Sequence, residues 1–184
     1  MLIQSKKVEL RDREVELRSA TVQDALEVWK HRKRTSEETV FLSRYPEEYN
    51  TDTEQIKREL EIMIESPDAF HVTAFLDEHV IGDLGVTPVG SCFKEHHRAY
   101  LGISIQQAYC NQGLGSMMMA CALQYAKQIG YEQVELGVFS DNNSALHLYE
   151  KLGFTRYGIH PRAFRLKDGT YRDEVLMVKI FSNY

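Results

Sequence analysis

Between Tyr109 and Ala126 the chain reads YCNQGLGSMMMACALQYA, in which a glycine-rich turn, Asn111-Gln112-Gly113-Leu114-Gly115-Ser116, runs straight into an apolar helical pattern. A helix start carries up to four backbone N–H groups without intrahelical acceptors and a partial positive charge, so it takes anions. Gly113 and Gly115 have no Cβ, which lets the backbone come close to a phosphate. Read blandly, the same turn is only the entry to a core helix. It lacks the Lys-Ser/Thr of a nucleotide-binding phosphate loop, which disfavours a nucleotide-binding protein. Immediately upstream, Tyr100 to Gln106 (YLGISIQ) alternates as a strand. Strand, glycine turn and helix together read as a phosphate cradle.

The elements that must position this cradle follow from hydrophobic period and turn residues. Val8 to Arg18 reads as a first strand or a hairpin around Arg11-Asp12-Arg13. Thr21 to Asp24 is a capping-box-like start for a helix carrying Ala25, Val28 and Trp29 inward, and a second helix begins near Asp52 or Thr53 with Ile56, Leu60 and Ile64 on its apolar face. Strands follow over His71–Leu76, Val80–Thr87 and His97–Gln106. Leu114, Met118, Cys121, Ala122, Tyr125 and Ile129 recur at helical spacing, with Met117, Met118 and Met119 read as core filler. Val134–Phe139 is a strand and Asn143–Lys151 a helix. Thr155–Leu166 and Asp173–Ile180 form a closing hairpin turned at Asp168-Gly169. The order β-α-α-β-β-β-α-β-α-β-β implies an α/β fold with a mixed sheet and helices on both faces. The regular alternation of a doubly wound dinucleotide fold is absent.

The chain has 184 residues, 43% of them hydrophobic and 27% charged, which suits one domain over residues 1–184 with a sizeable core. A formal charge of −5 gives no electrostatic reason to expect nucleic acid or an acidic membrane surface. Cys92, Cys110 and Cys121 are odd in number and widely spaced, without zinc-ligand spacing, so reduced thiols and no metal are expected. No apolar run reaches membrane-spanning length and the N-terminus is too polar for a secretory signal, which makes the cytoplasm the expected location. A homodimer stays open.

Two motifs in the correct order resemble the GNAT superfamily of acetyl-CoA-dependent N-acetyltransferases. One is Cys110-Asn-Gln-Gly113-Leu-Gly115, similar to the family's acyl-CoA signature of Arg or Gln followed by x-x-Gly-x-Gly. The other is Asn142-Asn-Ser-Ala145-Leu-His-Leu-Tyr149-Glu-Lys-Leu-Gly153-Phe154, similar to the family's Asn-x-x-Ala…Leu-Tyr-Glu-Lys-Leu-Gly-Phe. Cys110 departs from the pattern, standing where Arg or Gln is usual. The resemblance implies a GNAT-like, mostly antiparallel central sheet flanked by helices, and acetyl-CoA as acyl donor. It also implies that backbone amides through Cys110, Asn111, Gln112, Gly113, Leu114, Gly115 and Ser116 wrap the pyrophosphate. The backbone of Ile103, Ser104 and Ile105 would pair with the pantetheine arm, and strand N–H groups would stabilise the developing oxyanion. Asn142 caps the following helix or contacts the cofactor arm, and capping is the stronger local expectation.

Tyr149 is the catalytic candidate the resemblance singles out. It follows Asn142 by about two helical turns, ~10.5 Å along the axis. When an amine displaces the thiolate of CoA, the sulfur needs a proton, and a phenol of reference pKa about 10 still holds one at neutral pH. The bland reading is a half-buried tyrosine packed on the core. The acceptor must also be neutral. A lysine-like amine of pKa about 10.4 meets that condition roughly once in 2,500 molecules at pH 7, a penalty of ~4.6 kcal/mol, whereas an α-amino group loses only ~1 kcal/mol. Tyr100 and Gly137 stand where relatives can carry the acid that serves as base. Glu135, His97, His160, Asp173 and Glu174 remain as candidates, with Asp173 and Glu174 reading most simply as a hairpin-closing pair. A weakly basic amine or an ordered-water route would remove the need for any of them.

On the acceptor side, Phe41, Arg44 and Tyr45 could line a pocket, with Arg44 suited to a substrate carboxylate. An interhelical loop with a few anchoring aromatics explains them as well. The resemblance therefore implies direct acetyl transfer from acetyl-CoA to a primary amine of a small molecule, an amino acid or a protein N-terminus. The alternative is a non-catalytic acyl-CoA-binding sensor.

Overall fold

The computed structural model describes residues 1–49 and 52–181. The first segment is a hairpin, β1 (Lys6–Leu10) and β2 (Arg13–Arg18), whose turn holds Arg11 at φ 55°. One 3₁₀ turn, in which the Asp24 carboxylate accepts the Thr21 N–H, leads into α1 (Ala25–Glu38). Asp52 caps α2 (Thr53–Glu65) by accepting the Gln55 N–H at 2.9 Å. Then follow β3 (Phe70–Leu76), β4 (His79–Pro88), β5 (Arg98–Ile105), α3 (Leu114–Gln128), β6 (Gln133–Phe139), α4 (Asn143–Lys151), β7 (Thr155–Arg165) and β8 (Tyr171–Ile180). No helix among the described residues is long and apolar enough to cross a membrane.

The eight strands form one sheet in the order β1-β2-β3-β4-β5-β6-β8-β7. Every neighbouring pair is antiparallel except β5–β6, which the α3 crossover makes parallel. That parallel pairing is short, running from Arg98↔Gln133 to Tyr100↔Glu135. Beyond it β5 stays with β4 and β6 stays with β8, so the two strands part and leave a wedge in the middle of the sheet.

Strand alternation decides what faces each side of the wedge. On one face Leu114, Met118, Met119 and Ala122 of α3, with Leu146 and Tyr149 of α4, pack on Val134, Leu136, Leu101 and Phe70 in the main core. On the other, Val28, Ile56 and Leu60 of α1 and α2 pack with Phe75 and Val80 in a smaller cluster. Helices therefore cover both faces. Glu135, Gly137 and Phe139, out of phase with the buried Val134 and Leu136, belong to the α1–α2 side.

Candidate active site

The turn before α3 has the geometry of an anion cradle. Gly113 is the helix N-cap at φ 94°, a conformation that a side chain disfavours. The first helical bond runs from Met117 N–H to the Gly113 carbonyl at 3.1 Å, so the N–H groups of Leu114, Gly115 and Ser116 have no carbonyl one turn back. A Cβ built on Gly113 meets nothing within 4 Å, and the space above the turn is open. Gly115 serves a different end: a Cβ there would lie 3.1 Å from Leu148 and 3.3 Å from Ile105, so its absence lets α3 close on α4 and β5. The residues present thus fit a pyrophosphate held by backbone amides.

Around the cradle the side chains are tied locally. The Cys110 N–H donates to the Gln107 carbonyl at 3.2 Å, and its thiol, pushed up by burial and by Glu38, points at the Gln106 carbonyl 3.6 Å away. Gln112 donates to the Ala108 carbonyl, and Ser144 to Asn111 Oδ1 at 3.4 Å, which links the turn to the start of α4. The Asn142 side-chain oxygen accepts the Ala145 N–H at 3.2 Å, so its oxygen serves as the cap of α4.

Beside this turn lies the wedge. Ile103, Ser104 and Ile105 pair with β4 on one edge, while their other edge faces the gap. Tyr100, the last residue of β5 to pair with β6, reaches across, and its hydroxyl accepts the Gly137 N–H at 3.0 Å. From the α4 side comes Tyr149, 7% exposed, edge-tilted on Phe154 with ring centroids 5.9 Å apart. Burial, and the neighbouring Tyr100 phenol, push its hydroxyl up to about 12. It is a phenol that keeps its proton at every physiological pH.

The candidate bases separate once their partners are known. Glu135 is engaged by two guanidinium nitrogens of Arg98, Nε and Nη2, at 2.6 and 2.9 Å, and by Gln133 at 2.8 Å. This bidentate pairing, chiefly the Arg98 hydrogen bond, holds its carboxyl below the usual range. Asp173 accepts the Arg162 N–H at 2.7 Å across the β7–β8 hairpin. His97 lies just ahead of β5, where its carbonyl accepts the N–H groups of Glu132 and Gln133.

Glu174 behaves differently from its neighbour, which corrects the reading of Asp173 and Glu174 as a closing pair. The hairpin closes at Leu166 and Thr170, whereas Glu174 turns over β6, and a Cβ on Gly137 would fall 1.9 Å from its Oε1 and 2.9 Å from the Tyr100 hydroxyl. Sequence reading missed this meeting of Tyr100, Gly137 and Glu174. A usable signal was the alternation that puts Gly137 and Phe139 on the face of Glu135, but the register of β8 against β6 was out of reach.

Two of the three acceptor candidates, Phe41 and Tyr45, gather on the same side. Phe41 packs edge-on against Phe139 at 5.8 Å, and Phe164 stacks on Phe139 at 3.9 Å. The Tyr45 hydroxyl accepts the Lys167 N–H at 3.0 Å, joining the α1–α2 loop to the β7–β8 hairpin. Arg44 lies apart from these, its guanidinium over the Tyr49 ring at 5.9 Å. A surface concavity, lined by Arg13, Glu14, Glu16 and Arg18 among others, sits at the β1–β2 edge, where its side chains are engaged in ion pairs such as Lys7–Glu14.

The parted central strand pair and the bare helix N-terminus lie side by side in the middle of the sheet. The profile of the acetyltransferase (GNAT) family matches residues 31–154, more than half of the chain, and the chain belongs to that family. An acetyltransferase of the GNAT family from Streptococcus pneumoniae superposes with a TM-score of 0.86 at 29% identity, covering 91% of this chain and 99% of that one. The yncA acetyltransferase structure from Salmonella typhimurium, solved with its cofactor acetyl-CoA, shares the fold at a TM-score of 0.80 and 17% identity, covering 92% and 95%. Among curated proteins, the L-amino acid N-acetyltransferase AaaT of Escherichia coli is 27% identical over 121 residues, 65% of this chain and 74% of its own length. Several further curated relatives are matched over less than half of their own length.

Proposed function

We propose that the chain moves acetyl from acetyl-CoA directly to a primary amine within a ternary complex, with Tyr149 as general acid. The observation that supports this most is the wedge between β5 and β6, with a bare helix start beside it and the Tyr100 hydroxyl across its inner end, near enough to the buried Tyr149 to act on it. In this reading the N–H groups of Leu114, Gly115 and Ser116 hold the pyrophosphate, and the free edge of Ile103–Ile105 pairs with the pantetheine arm. The donor supplies a thioester, and backbone N–H groups of the parted strand stabilise charge on its carbonyl oxygen, an interaction worth ~3 kcal/mol per donor. Tyr149 gives its proton to the departing sulfur. The acceptor is a small molecule, an amino acid or a protein N-terminus. The name of the E. coli relative favours an amino acid.

Release of free thiol from acetyl-CoA across a panel of amino acids, polyamines, aminoglycosides and N-terminal peptides tests the reading. Amine-dependent release with at least one class is the expected result. Thermal stabilisation by acetyl-CoA without release against any amine would identify an acyl-CoA sensor instead.

A further inference from the structure

Acetyl transfer as proposed above leaves one task unassigned, the removal of a proton from the incoming ammonium, and the inference here rests on that reading. We infer that Glu174 receives the acceptor's ammonium and takes its proton, and that His160 passes this proton outward.

Elimination and position both lead to Glu174. Of the carboxylates around the wedge, Glu135 is neutralised by Arg98, Asp141 by Arg172 at 2.9 Å, and Asp173 is held by the Arg162 backbone. Glu174 has no lysine or arginine within ion-pair distance among the described residues, and the basic group nearest it is the His160 imidazole, whose Nδ1 stands 3.7 Å from Oε2. Its side chain is 19% exposed, enough to be reached and too little to be fully hydrated. A carboxylate without a permanently charged partner in such a place attracts a cation.

Gly137 makes the position possible. Any larger residue would collide with Oε1, so the bare backbone of β6 is the seat of the carboxylate. The titratable groups facing it are Tyr100 from β5 and Tyr157 and His160 from β7, while Glu135, on the same face of β6, is neutralised by Arg98. Phe139, the cross-strand partner of Glu174, carries Phe41 and Phe164 on its ring. An ammonium next to an apolar group would meet aromatic walls and a single negative charge. His160, 63% exposed in its side chain, connects the carboxylate to solvent.

The proton and bond balance closes. The ammonium gives one proton to Glu174 and becomes a nucleophilic amine. Its nitrogen bonds to the acetyl carbon, the C–S bond breaks, and the sulfur takes the Tyr149 proton. The amide nitrogen sheds its surplus proton, which restores Tyr149 through water, and Glu174 returns its proton to bulk by way of His160. Products are the acetamide, the thiol and one released proton.

The test compares wild type, Glu174→Gln and Gly137→Ala, using the best amine from the panel, from pH 7 to 9.5. Glu174→Gln is expected to lower kcat/KM at pH 7 by about 100-fold, within the range for a positioned base. Below the pKa of the amine, its rate should then climb about tenfold per pH unit with the free-amine fraction, more steeply than wild type, while stabilisation by acetyl-CoA is kept. Gly137→Ala retains the carboxylate but displaces it, and should show the same pH-dependent deficit. The inference is overturned if Glu174→Gln keeps wild-type kcat/KM at pH 7, or loses a constant factor at every pH. If wild type releases no thiol with any amine, the acetyl-transfer reading itself falls and takes this inference with it.

Discussion

Tyr149 holds its proton because water cannot reach the phenolate it would form, so a group of ordinary acidity in a peptide becomes a fixed donor within the sheet. Its raised value has a definite sign for the rate. The protonated form is the working one, so no fall in turnover attributable to Tyr149 is expected below about pH 11. Tyr149→Phe keeps the ring contact with Phe154 and removes only the hydroxyl. It should lower kcat by about 100-fold, with the acetyl-CoA dissociation constant changed by no more than a factor of about three. Stopped-time thiol release and calorimetric titration check the two halves, and unchanged kcat removes the proton-donor role. Tyr149 was legible in the sequence because a helical motif carries its own register. Glu174 was legible only as one of five candidate bases, since its side chain matters through Gly137 and Tyr100, and those three residues meet only when β8 is laid against β6.

At the scale of elements, the two cradle glycines do separate work that a shared motif conceals. Gly113→Ala forces a side chain into the left-handed region, which costs about 1 kcal/mol, yet meets no neighbour. Gly115→Ala keeps a helical backbone but presses on Leu148 and Ile105. Gly113→Ala should therefore lower the melting temperature by a few degrees and still bind acetyl-CoA. Gly115→Ala should shift α3 against β5 and weaken acetyl-CoA binding at least tenfold. Thermal melts with and without acetyl-CoA distinguish them, and equal loss of ligand stabilisation in both would refute the division. The α1–α2 loop offers a second case. Phe41 reaches Phe139 from one side and Phe164 covers it from the other. Phe41→Ala is expected to raise the acceptor KM severalfold and leave the acetyl-CoA KM unchanged, measured by initial rates with each substrate varied in turn. Element order, both helix caps and the buried methionines of α3 could be read from period and turn residues. The parting of β5 from β6 could not, because it depends on which strand each one pairs with on its far side.

Across the whole molecule, α1 is fastened to the sheet through a polar layer that makes the fold sensitive to acid. His31, 1% exposed, has Nε2 2.9 Å from Ser104 Oγ, and burial lowers its pKa so that it sits neutral. Asp83, the cross-strand partner of both Ser104 and Thr73, lies 3.0 Å from His71 Nδ1 and accepts the Thr73 hydroxyl at 2.8 Å. Burial alone would raise Asp83, but His71, its hydrogen bond and Arg32 outweigh it and hold the carboxyl well below the usual range. Both shifts act in the same direction. A histidine lowered in the fold binds its proton more readily when unfolded, so stability falls as pH drops below the unfolded value of about 6.5. An aspartate lowered in the fold contributes fully above about pH 4 and loses that contribution as pH falls further. The melting temperature should thus be level from pH 8 to 7, decline from about 6.5, and fall more steeply below about 4. Asp83→Asn removes the charge facing His71 and Arg32, which should destabilise the fold by about 3 kcal/mol at pH 7. It should also flatten the lower limb while the His31 limb persists and deepens, because the Asp83 charge partly offsets the lowering of His31 by burial. Calorimetric melts of both proteins across that range decide the matter: a wild-type melting temperature that stays level from pH 7 to 4 would show that the layer under α1 does not couple protonation to folding.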